Sequence, residues 1–350
     1  MSSPDTERAR PRVSAVVLAF GAEPLLAECV TALLRSARVT IDVVLVDNGC
    51  TTAGAVDQFD EEPGVIVVRP GANTGFAGGC NLGARRASGE ILAFVNSDAV
   101  VAPGAIAALA GALEDARVGI VTGSLRLMDR PDVINSAGNP VHYLGLSWAG
   151  GLGEPATSYA EPRDVASATG AVMALRRATW TALGGFYEPM FAYCEDTELS
   201  LRCWQRGWSV LYVPDAVALH SYEFHRNPLK MYLLERNRLL VVLTLYERRT
   251  LALLALPLVG LELAVLAVAL KQGWGRQKVR GWWWLLTHSR VVRRRRAQVQ
   301  GERLRDDGYV VPLLTATFTP GAESGIATPR TLSLLSSWYW RLVRRRIREV

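Results

Sequence analysis

The chain has 350 residues, of which 49% are hydrophobic and 21% charged, with a formal net charge of +6. This composition excludes a disordered tail and a collagen-like repeat, and the length allows one large domain or two of ordinary size. The charge is unevenly distributed: residues 226–350 contain 23 basic and 8 acidic residues, whereas residues 1–225 contain 16 basic and 25 acidic residues. An acidic first part joined to a basic, apolar-rich second part excludes a uniformly basic nucleic-acid-binding protein.

Cysteine usage and the first residues indicate a reducing, cytosolic environment. The five cysteines are scattered and form no Cys-x-x-Cys pair, so neither a disulfide framework nor a zinc–thiolate site is expected. Residues 1–11 form a polar leader that contains no apolar stretch. We therefore expect no cleaved secretory signal there.

Short apolar runs and amphipathic segments alternate along the first part of the chain. Valine-rich runs predict buried strands at 13–20, 41–46, 65–68 and 91–95, and helical spacing of apolar residues predicts helices at 24–38 and 103–114. This alternation predicts an α/β fold with a mainly parallel central sheet. Sheets of this kind bind ligands at the carboxyl ends of their strands.

Polar residues follow three of these predicted strands. Asp47 ends the second strand, Asn73 follows the third, and Asn96-Ser97-Asp98 follows the fourth. Asp98 is suited to bind a hard divalent cation, which prefers oxygen ligands. The same residue types also form ordinary turns and helix caps, and the sequence leaves that alternative open. The glycines of residues 73–81 match neither a P-loop nor a dinucleotide-binding fingerprint, which disfavours a kinase, an ATPase or a dehydrogenase.

A second acidic pair, Glu195-Asp196, begins a predicted helix in a largely apolar stretch. Neighbouring carboxylates raise each other's pKa, which suits a general base that works near neutral pH. The alternative is a solvated acidic helix start, since the helix dipole favours acids there. His220 ends a short predicted strand and is either a core histidine or, beside a metal carboxylate, a ligand.

Six motifs follow one another in a recognisable order. They are Val46-Asp47-Asn48, residues 73–81 (Asn-Thr-Gly-Phe-Ala-Gly-Gly-Cys-Asn), Asn96-Ser97-Asp98, Gly184-Gly185-Phe186, residues 191–202 around Glu195-Asp196, and His220. Their order and spacing over residues 12–245 resemble the family 2 glycosyltransferases. The likeness is strongest to the rhamnosyltransferase-like group that builds bacterial cell-surface glycans.

The resemblance implies a GT-A fold and specific roles for the motif residues. Asp196 would be the base that deprotonates the acceptor, with Glu195 and Arg202 shaping its surroundings, and Asp98 and His220 would hold Mg²⁺ or Mn²⁺. Donor-binding positions implied by the resemblance are Asp47 (the nucleotide base), Asn48, Asn73, Gly75, Phe76, Asn81, Asn96 and Arg202. Two features depart from the family pattern, since Asn96 replaces the first acid of Asp-x-Asp and the segment after Asp47 lacks a second acid.

The activity that the resemblance implies is inverting, metal-dependent sugar transfer. The donor would be a nucleotide-diphosphate sugar such as dTDP-rhamnose or a UDP-sugar, and the acceptor a cell-envelope or polyprenyl-linked glycan. On this interpretation residues 12–225 are the catalytic domain. Residues 12–120 of it would bind the nucleotide sugar and residues 121–225 the acceptor.

Residues 226–350 are expected to be a helical, basic and apolar region, with a loop at about 306–330. The apolar run 251–270 is long enough to span a bilayer, but Pro257 breaks it and Glu262 lies inside it. Three alternatives stay open: a spanning helix, interfacial helices on an anionic membrane, or helices packed on the catalytic domain with a solvated basic face. We favour peripheral binding at the cytoplasmic face of the membrane.

Two rival functions belong to other classes. A sugar-phosphate nucleotidyltransferase would share the α/β layer and the metal carboxylates, but residues 20–24 contain no basic residue of the kind expected after its first strand. A membrane-associated scaffold with a decayed catalytic domain would account for Asn96. No nucleic-acid partner is expected.

Overall fold

The computed structural model describes residues 10–221, 227–319 and 330–348. The strands are β1 Arg12–Gly21, β2 Thr40–Cys50, β3 Val65–Val68, β4 Ile91–Asn96, β5 Ala99–Val101, β6 Val118–Leu127, β7 Arg130–Ser136, β8 Val141–His142, β9 Arg163–Asp164, β10 Val172–Arg176, β11 Ser209–His220 and β12 Leu314–Thr315. The helices are α1 Leu26–Leu34, α2 Gly75–Arg86, α3 Ala105–Ala112, α4 Arg177–Leu183, α5 Glu195–Gln205, α6 Pro228–Leu245, α7 Arg248–Lys271, α8 Gly275–Thr287, α9 Ser289–Glu302, α10 Asp307–Val310 and α11 Arg330–Arg348.

The predicted parallel sheet is the N-terminal half of a larger one. Strands β3, β2, β1 and β4 lie side by side and all pair in parallel. The valine-rich sequences of β1, β2 and β4 are buried because α1 and α3 cover one face and α2 covers the other. Strand β3, which was also predicted to be buried, lies at the edge of the sheet, where its valines are half-buried and Ile66 is exposed. This arrangement brings the carboxyl ends of β1, β2 and β4 to one edge, where ligands bind in such sheets.

The second half of the sheet is mixed rather than parallel. Strand β10 pairs antiparallel with both β4 and β6, and β11 pairs parallel with β6 and antiparallel with β5. The pairing of β11 with β5 sets His220 opposite Ala99, beside the turn that follows β4. Strand pairing in the mixed half of the sheet therefore positions His220 at the edge where the parallel strands end.

The C-terminal region is helical, as predicted, but two local expectations were wrong. Residues expected to be a loop form α10 and β12, and β12 pairs with β8. Pro257 does not break its helix, because α7 continues through it. A proline leaves the carbonyl four residues earlier without its N–H partner. Here that carbonyl, of Leu253, accepts a hydrogen bond from the hydroxyl of Tyr339 in α11 instead.

Part of the predicted domain organisation lies outside the described residues. Residues 1–9 of the polar leader, the boundary near 225–226 and the middle of the expected loop, 320–329, belong to that part of the chain. Among the described residues one helix, α7, is long and apolar enough to cross a membrane by length and composition.

Candidate active site

The turn after β4 is held by contacts with three other segments. The backbone N–H of Asn96 donates to the carbonyl of Ala171 (2.9 Å), and the hydroxyl of Ser97 donates to Glu23 Oε1 (2.8 Å). The carbonyl of Asp98 accepts from the N–H of Ser221. These contacts position the carboxylate of Asp98 at the edge of the sheet, where 38% of its side chain is exposed.

Asp98 and His220 face each other across this edge. His220 Nε2 lies 3.2 Å from Asp98 Oδ1, and His220 Nδ1 lies 2.9 Å from the amide oxygen of Asn135. An amide oxygen only accepts, so Nδ1 carries a proton and donates it. Nε2 is therefore directed at the carboxylate of Asp98. In metal-binding histidines the nitrogen that does not bind the metal typically donates to a polar group, which fixes the orientation of the ring, as Asn135 does here.

The donor set at Asp98 and His220 fits a divalent cation that takes part of its coordination from substrate. One carboxylate oxygen and one imidazole nitrogen suit Mn²⁺ or a related ion. No cluster of three or more His, Cys, Asp or Glu side chains suited to a metal occurs among the residues described. A cation held by this pair would therefore need further ligands, such as phosphate oxygens or water.

Asp196 lies at the start of α5, and its side chain is partly buried. Gly170 N–H donates to Oδ2 (3.0 Å), and Thr197 N–H donates to Oδ1 (2.7 Å). Burial raises the pKa of Asp196, and these hydrogen bonds from N–H groups offset part of that effect because they stabilise the ionised form. The result is a carboxylate whose pKa lies closer to neutrality than that of an exposed aspartate.

Glu195 is also buried, but it has a different environment. Burial, and next the charge of Asp196, raise the pKa of Glu195 well above its ordinary value. Its Oε2 atom makes no hydrogen bond within the described part of the chain. Because two adjacent carboxylates do not both ionise easily, the more deeply buried Glu195 is the one that stays protonated.

The segment before β10 connects the two groups of site residues. Gly170 donates to Asp196, and the next residue, Ala171, accepts from Asn96, two residues before Asp98. The carboxylate of Asp196 and the backbone of Asn96, two residues before Asp98, are thus held by adjacent residues. Asp196 and Asp98 therefore lie on segments that contact the same part of the chain, residues 170–171.

The backbone immediately before Glu195 is strained. Phe191, Tyr193 and Cys194 have φ of +66°, +70° and +66°, which side-chain-bearing residues rarely adopt. Strain of this kind persists only where the surroundings impose it. Here α6 supplies the constraint, because the amide of Asn237 donates to the carbonyls of Met190 (2.9 Å), Ala192 (2.8 Å) and Tyr193 (2.7 Å).

Asn48 and Asn73 hold the Gly-rich turn in its conformation through their amide side chains. Asn48 is buried, accepts from the N–H of Thr74 (2.8 Å) and donates to Asn73 Oδ1 (3.0 Å). Asn73 Oδ1 also accepts from the N–H of Gly75 (2.8 Å). Gly75 has φ +74°, and a Cβ there would lie 2.4 Å from the carbonyl oxygen of Phe191. Only glycine therefore permits this turn to contact the strained loop.

Asp47 lies at the end of β2, beside an open cavity. Its Oδ1 accepts from the N–H groups of Gly49 (3.2 Å) and Cys50 (3.0 Å), which leaves Oδ2 available to a ligand. The cavity is lined by polar and small residues, namely Asp47, Cys50, Thr51, Thr52, Ala53, Gly54, Val56 and Asp57. This location separates Asp47 from the Asp98 and Asp196 group but keeps it at the same edge of the sheet.

Three other predicted donor residues make internal contacts. Phe76 packs against Phe186, with ring centroids 5.9 Å apart, and lies next to Gly170. The amide of Asn81 pairs with both backbone groups of Phe186. Arg202 is buried, binds Glu198 (2.7 Å) and donates to backbone carbonyls. The structure does not bring Asn81 or Arg202 to the carboxylates of the site.

Three residues that support the site, Glu23, Asn135 and Asn237, were not predicted from the sequence. Glu23 is buried after β1, accepts from Ser97 and Phe20, and has its pKa raised by burial. The rule that selected Asp47 and Asp98, an acid just after a strand, would also have selected Glu23. Asn135 and Asn237 carry no such signal, because their partners come from distant parts of the chain.

Comparison with known proteins identifies a family and relatives of this chain. The family model described as Glycosyltransferase like family 2 matches residues 11–240. The chain is 29% identical over 234 residues to the N-acetylglucosaminyl-diphospho-decaprenol L-rhamnosyltransferase of Mycobacterium tuberculosis, which covers 59% of this chain and 74% of that protein.

Two solved structures share the fold. GalNAc-T7, whose crystal structure was determined with UDP, GalNAc and Mn²⁺, aligns with a TM-score of 0.59 at 18% identity over 71% of this chain and 51% of its own. The mannosyltransferase PcManGT of Pyrobaculum calidifontis, in complex with GDP-Man and Mn²⁺, aligns with a TM-score of 0.50 at 19% identity over 78% and 86%. These likenesses show a GT-A fold.

Proposed function

Since this chain belongs to glycosyltransferase-like family 2 and is therefore a glycosyltransferase, we propose that it transfers a sugar with inversion from a nucleotide-diphosphate donor to a lipid-linked glycan. One observation carries the mechanistic part of this proposal. Asp196, a partly buried carboxylate of raised pKa, accepts a hydrogen bond from Gly170, and the adjacent Ala171 holds the backbone of Asn96 in the turn that carries Asp98, the partner of His220. Direct displacement at a sugar carbon requires a general base and a diphosphate-binding position on the two sides of the reacting carbon, which supports this assignment.

Asp196 acts as the base in the proposed reaction. The acceptor hydroxyl oxygen forms a bond to the anomeric carbon while the bond from that carbon to the donor's phosphate oxygen breaks. The hydroxyl proton passes to a carboxylate oxygen of Asp196, and the nucleoside diphosphate leaves. The raised pKa supports this role, because a base works best when its pKa approaches the working pH.

Asp98 and His220 would hold a divalent cation, Mg²⁺ or Mn²⁺, through Oδ1 and Nε2. A bound cation would supply positive charge to the diphosphate, which otherwise faces the acidic part of the chain. Asn135 orients His220 because its amide oxygen accepts a hydrogen bond from Nδ1. The amide oxygen of Asn96 is a further candidate ligand in place of the acid that this family often has at that position.

The remaining predicted donor residues divide into two groups. Asp47 and its cavity would bind the nucleotide base and ribose, with Phe76 and Gly75 forming a wall toward the sugar. Asn48 and Asn73 shape the turn that carries Gly75. We assign Asn81 and Arg202 to holding the segment 183–188 rather than to the donor, because their polar atoms bind its backbone.

The relative from Mycobacterium tuberculosis supports a specific substrate pair. Its name states transfer of L-rhamnose to N-acetylglucosaminyl-diphospho-decaprenol. We propose dTDP-rhamnose as the donor and a polyprenyl-diphosphate-linked GlcNAc as the acceptor for this chain, which places the reaction at the cytoplasmic face of a bacterial membrane. We also retain the functional division into 12–120, 121–225 and 226–350, with side chains from α6 and α9 supporting the catalytic part.

A transfer assay tests the proposal. The protein is incubated with dTDP-rhamnose or a UDP-sugar, polyprenyl-diphosphate GlcNAc and Mn²⁺, and product formation and donor binding are both measured. We expect Asp196→Asn to reduce transfer by at least about 10³-fold while donor affinity stays within a few-fold. Asp215→Asn, an exposed aspartate of β11, is the matched control. Equal loss of binding and transfer would remove Asp196 from the base role, and no transfer with any donor would overturn the proposed function.

A further inference from the structure

Exposed apolar side chains are concentrated on three C-terminal helices. Among the described residues seventeen large hydrophobic side chains are exposed, and twelve of them belong to α7, α8 and α11. The twelve are Leu256, Val259, Leu263, Val268, Leu270, Val279, Trp283, Leu286, Leu334, Leu335, Trp338 and Leu342. A soluble monomer rarely exposes so large an apolar group in one region, so this surface requires a partner.

The outward side of α7 is wholly apolar. Leu256, Val259, Leu263 and Leu270 recur at helical spacing and are exposed, Leu256 by 77%. The inward side of the same helix contains Leu254 and Ala269, which are buried. Residues 251–270 contain one ionisable side chain, Glu262, which points inward. The helix therefore presents a continuous apolar strip on the side away from the catalytic domain.

Glu262 decides how α7 can meet a membrane. Its carboxylate pairs with Arg238 of α6 and with Lys278 of α8 (2.7 Å), and Trp282 N–H donates to it. Lys278 is fully buried and also pairs with Glu235. If α7 left this cluster to span a bilayer, Glu262 would enter hydrocarbon and Lys278 would lose a partner inside the protein. Both changes are costly, so the ion pairs keep α7 packed along the protein.

The basic residues at both ends of α7 fit the same orientation. Arg248 and Arg249 are exposed at its start, Lys271 is its last residue, and Arg276 lies just beyond its end. A spanning helix concentrates basic residues on the cytoplasmic side, whereas a helix in the plane of the membrane has both ends at the level of the headgroups. The symmetric basic flanks are thus explained by a helix that lies on the surface.

Helices α8 and α11 extend the apolar strip and add charge. Val279, Trp283 and Leu286 are exposed along α8, between the exposed Arg276, Arg280 and Arg290. Exposed tryptophan beside arginine suits the headgroup region of a bilayer.

Helix α11 packs on α7, where the hydroxyl of Tyr339 donates to the Leu253 carbonyl. It exposes Leu334, Leu335, Trp338 and Leu342 next to Arg341, Arg344 and Arg345.

We propose that α7, α8 and α11 form one lipid-binding face that inserts in the plane of an anionic bilayer without spanning it. The apolar side chains would enter the acyl boundary, and the arginines around them would bind anionic headgroups. This charge pattern favours a lipid surface over a protein partner, since protein interfaces are depleted in charge at their core. The inference deepens the proposed function by naming the surface on which the lipid-linked acceptor is met, and binding can be measured without donor or acceptor.

Vesicle flotation of the full chain tests the lipid-binding face. We expect binding to phosphatidylcholine–phosphatidylglycerol vesicles to exceed binding to pure phosphatidylcholine by at least about tenfold at low salt, and to weaken as salt rises. The double variant Leu263→Glu with Trp283→Glu should lose at least about tenfold in binding. Leu304→Glu, an equally exposed leucine outside the three helices, should bind like the wild type. Circular dichroism verifies that all variants are folded.

A labelling experiment distinguishes a helix α7 that lies in the plane of the bilayer from one that spans it. Cysteines are placed at the two ends of α7 as Arg249→Cys and Gln272→Cys, and the bound protein is treated with a membrane-impermeant maleimide added outside the vesicles. We expect both positions to react. Protection of one end alone would show that α7 spans and would overturn the proposal.

Two further results would also overturn it. These are absence of binding to anionic vesicles, and a dimer that the Glu variants dissociate without any vesicle binding. Transfer by the same variants to a short-chain, water-soluble acceptor is measured as well, because it requires no vesicle. A failure of the lipid-binding proposal is thereby distinguished from a failure of the proposed function.

Discussion

At the scale of single residues, the two adjacent acids at the start of α5 have different chemistry. The carboxylate of Asp196 accepts hydrogen bonds from two backbone N–H groups. Glu195, in contrast, is buried, and its Oε2 atom has no hydrogen-bond partner among the described residues. A backbone N–H stabilises the ionised form, so Asp196 is the acid that carries the negative charge. Glu195 supplies a neutral side chain beside it.

The raised pKa of Glu195 predicts a pH-dependent stability. Below its ordinary pKa of 4.5 the group is protonated in both the folded and the unfolded chain. As pH rises above that value, only the unfolded chain ionises, so the free energy of unfolding falls by about 1.4 kcal/mol per pH unit until the folded group ionises too.

Glu195→Gln removes this dependence. The variant should gain stability relative to the wild type by more than about 1 kcal/mol between pH 5 and pH 7 in urea unfolding. Glu61→Gln, at an exposed glutamate, provides the comparison and should follow the wild-type slope. If the difference in the free energy of unfolding between Glu195→Gln and the wild type stayed constant with pH, the raised pKa of Glu195 would be contradicted.

At the scale of elements, α6 determines the conformation of the loop that precedes α5. Asn237 donates to three carbonyls of this loop, and the guanidinium of Arg236 donates to the carbonyls of Pro189 (2.9 Å) and Met190 (2.8 Å). The left-handed residues 191, 193 and 194 are therefore imposed by a neighbouring helix rather than by their own preferences. The position of Asp196 depends on this contact because the strained loop leads directly into it.

Asn237→Ala should consequently affect catalysis more than donor binding. Losing three buried hydrogen bonds is expected to lower the free energy of unfolding by about 2–4 kcal/mol and to lower kcat by at least about tenfold, with donor Kd within a few-fold. In the isosteric variant Asn237→Asp the carboxylate cannot donate these hydrogen bonds, so we expect the same changes as for Asn237→Ala.

Gln300→Ala is the matched control. Gln300 binds the carbonyls of Thr244 and Leu245 at the other end of α6, so this variant should lose stability without the loss of kcat. Equal effects of the two variants on kcat would mean that Asn237 acts through general stability.

At the scale of the whole molecule, the basic C-terminal part is joined to the acidic catalytic part by buried ion pairs. Glu198 of α5 is fully buried between Arg202 and Arg295, and Arg295 comes from α9. The two arginine charges hold the pKa of Glu198 below its ordinary value despite the opposing effect of burial. Part of the basic surplus is therefore internal, at the contact between α9 and α5.

Arg295→Ala should destabilise the whole chain. Removing one partner of a buried ion pair leaves its charge without full compensation, and we expect a loss of about 3 kcal/mol in the free energy of unfolding. Arg294→Ala, at the exposed neighbour in the same helix, should change stability by less than about 0.5 kcal/mol. Chemical denaturation followed by tryptophan fluorescence measures both. Similar values for the two variants would show that α9 is a dispensable appendage.

Much of the fold was predictable because strand and helix periodicities are local properties of the sequence. The valine-rich runs identified β1 to β4, and the rule for parallel sheets identified the edge at which Asp47 and Asp98 lie. The antiparallel insertion of β10 was not predictable, since its pairing is with strands distant in the sequence. For the same reason the buried, internal contacts of Asn81 and Arg202 could not be read from their motifs.

The sequence by itself determined the two-part charge distribution, the α/β layer, the order of the motifs and the residue types available for chemistry. Tertiary structure alone decided which of those residues meet. The pairing of β11 with β5 sets His220 against Asp98, α6 imposes the loop before Asp196, and the ion pairs of Glu262 turn the apolar side of α7 outward. The physical reason is that periodicity encodes local conformation and burial. Contacts between distant segments depend instead on strand register and on compensating buried charges, which only the packed chain defines.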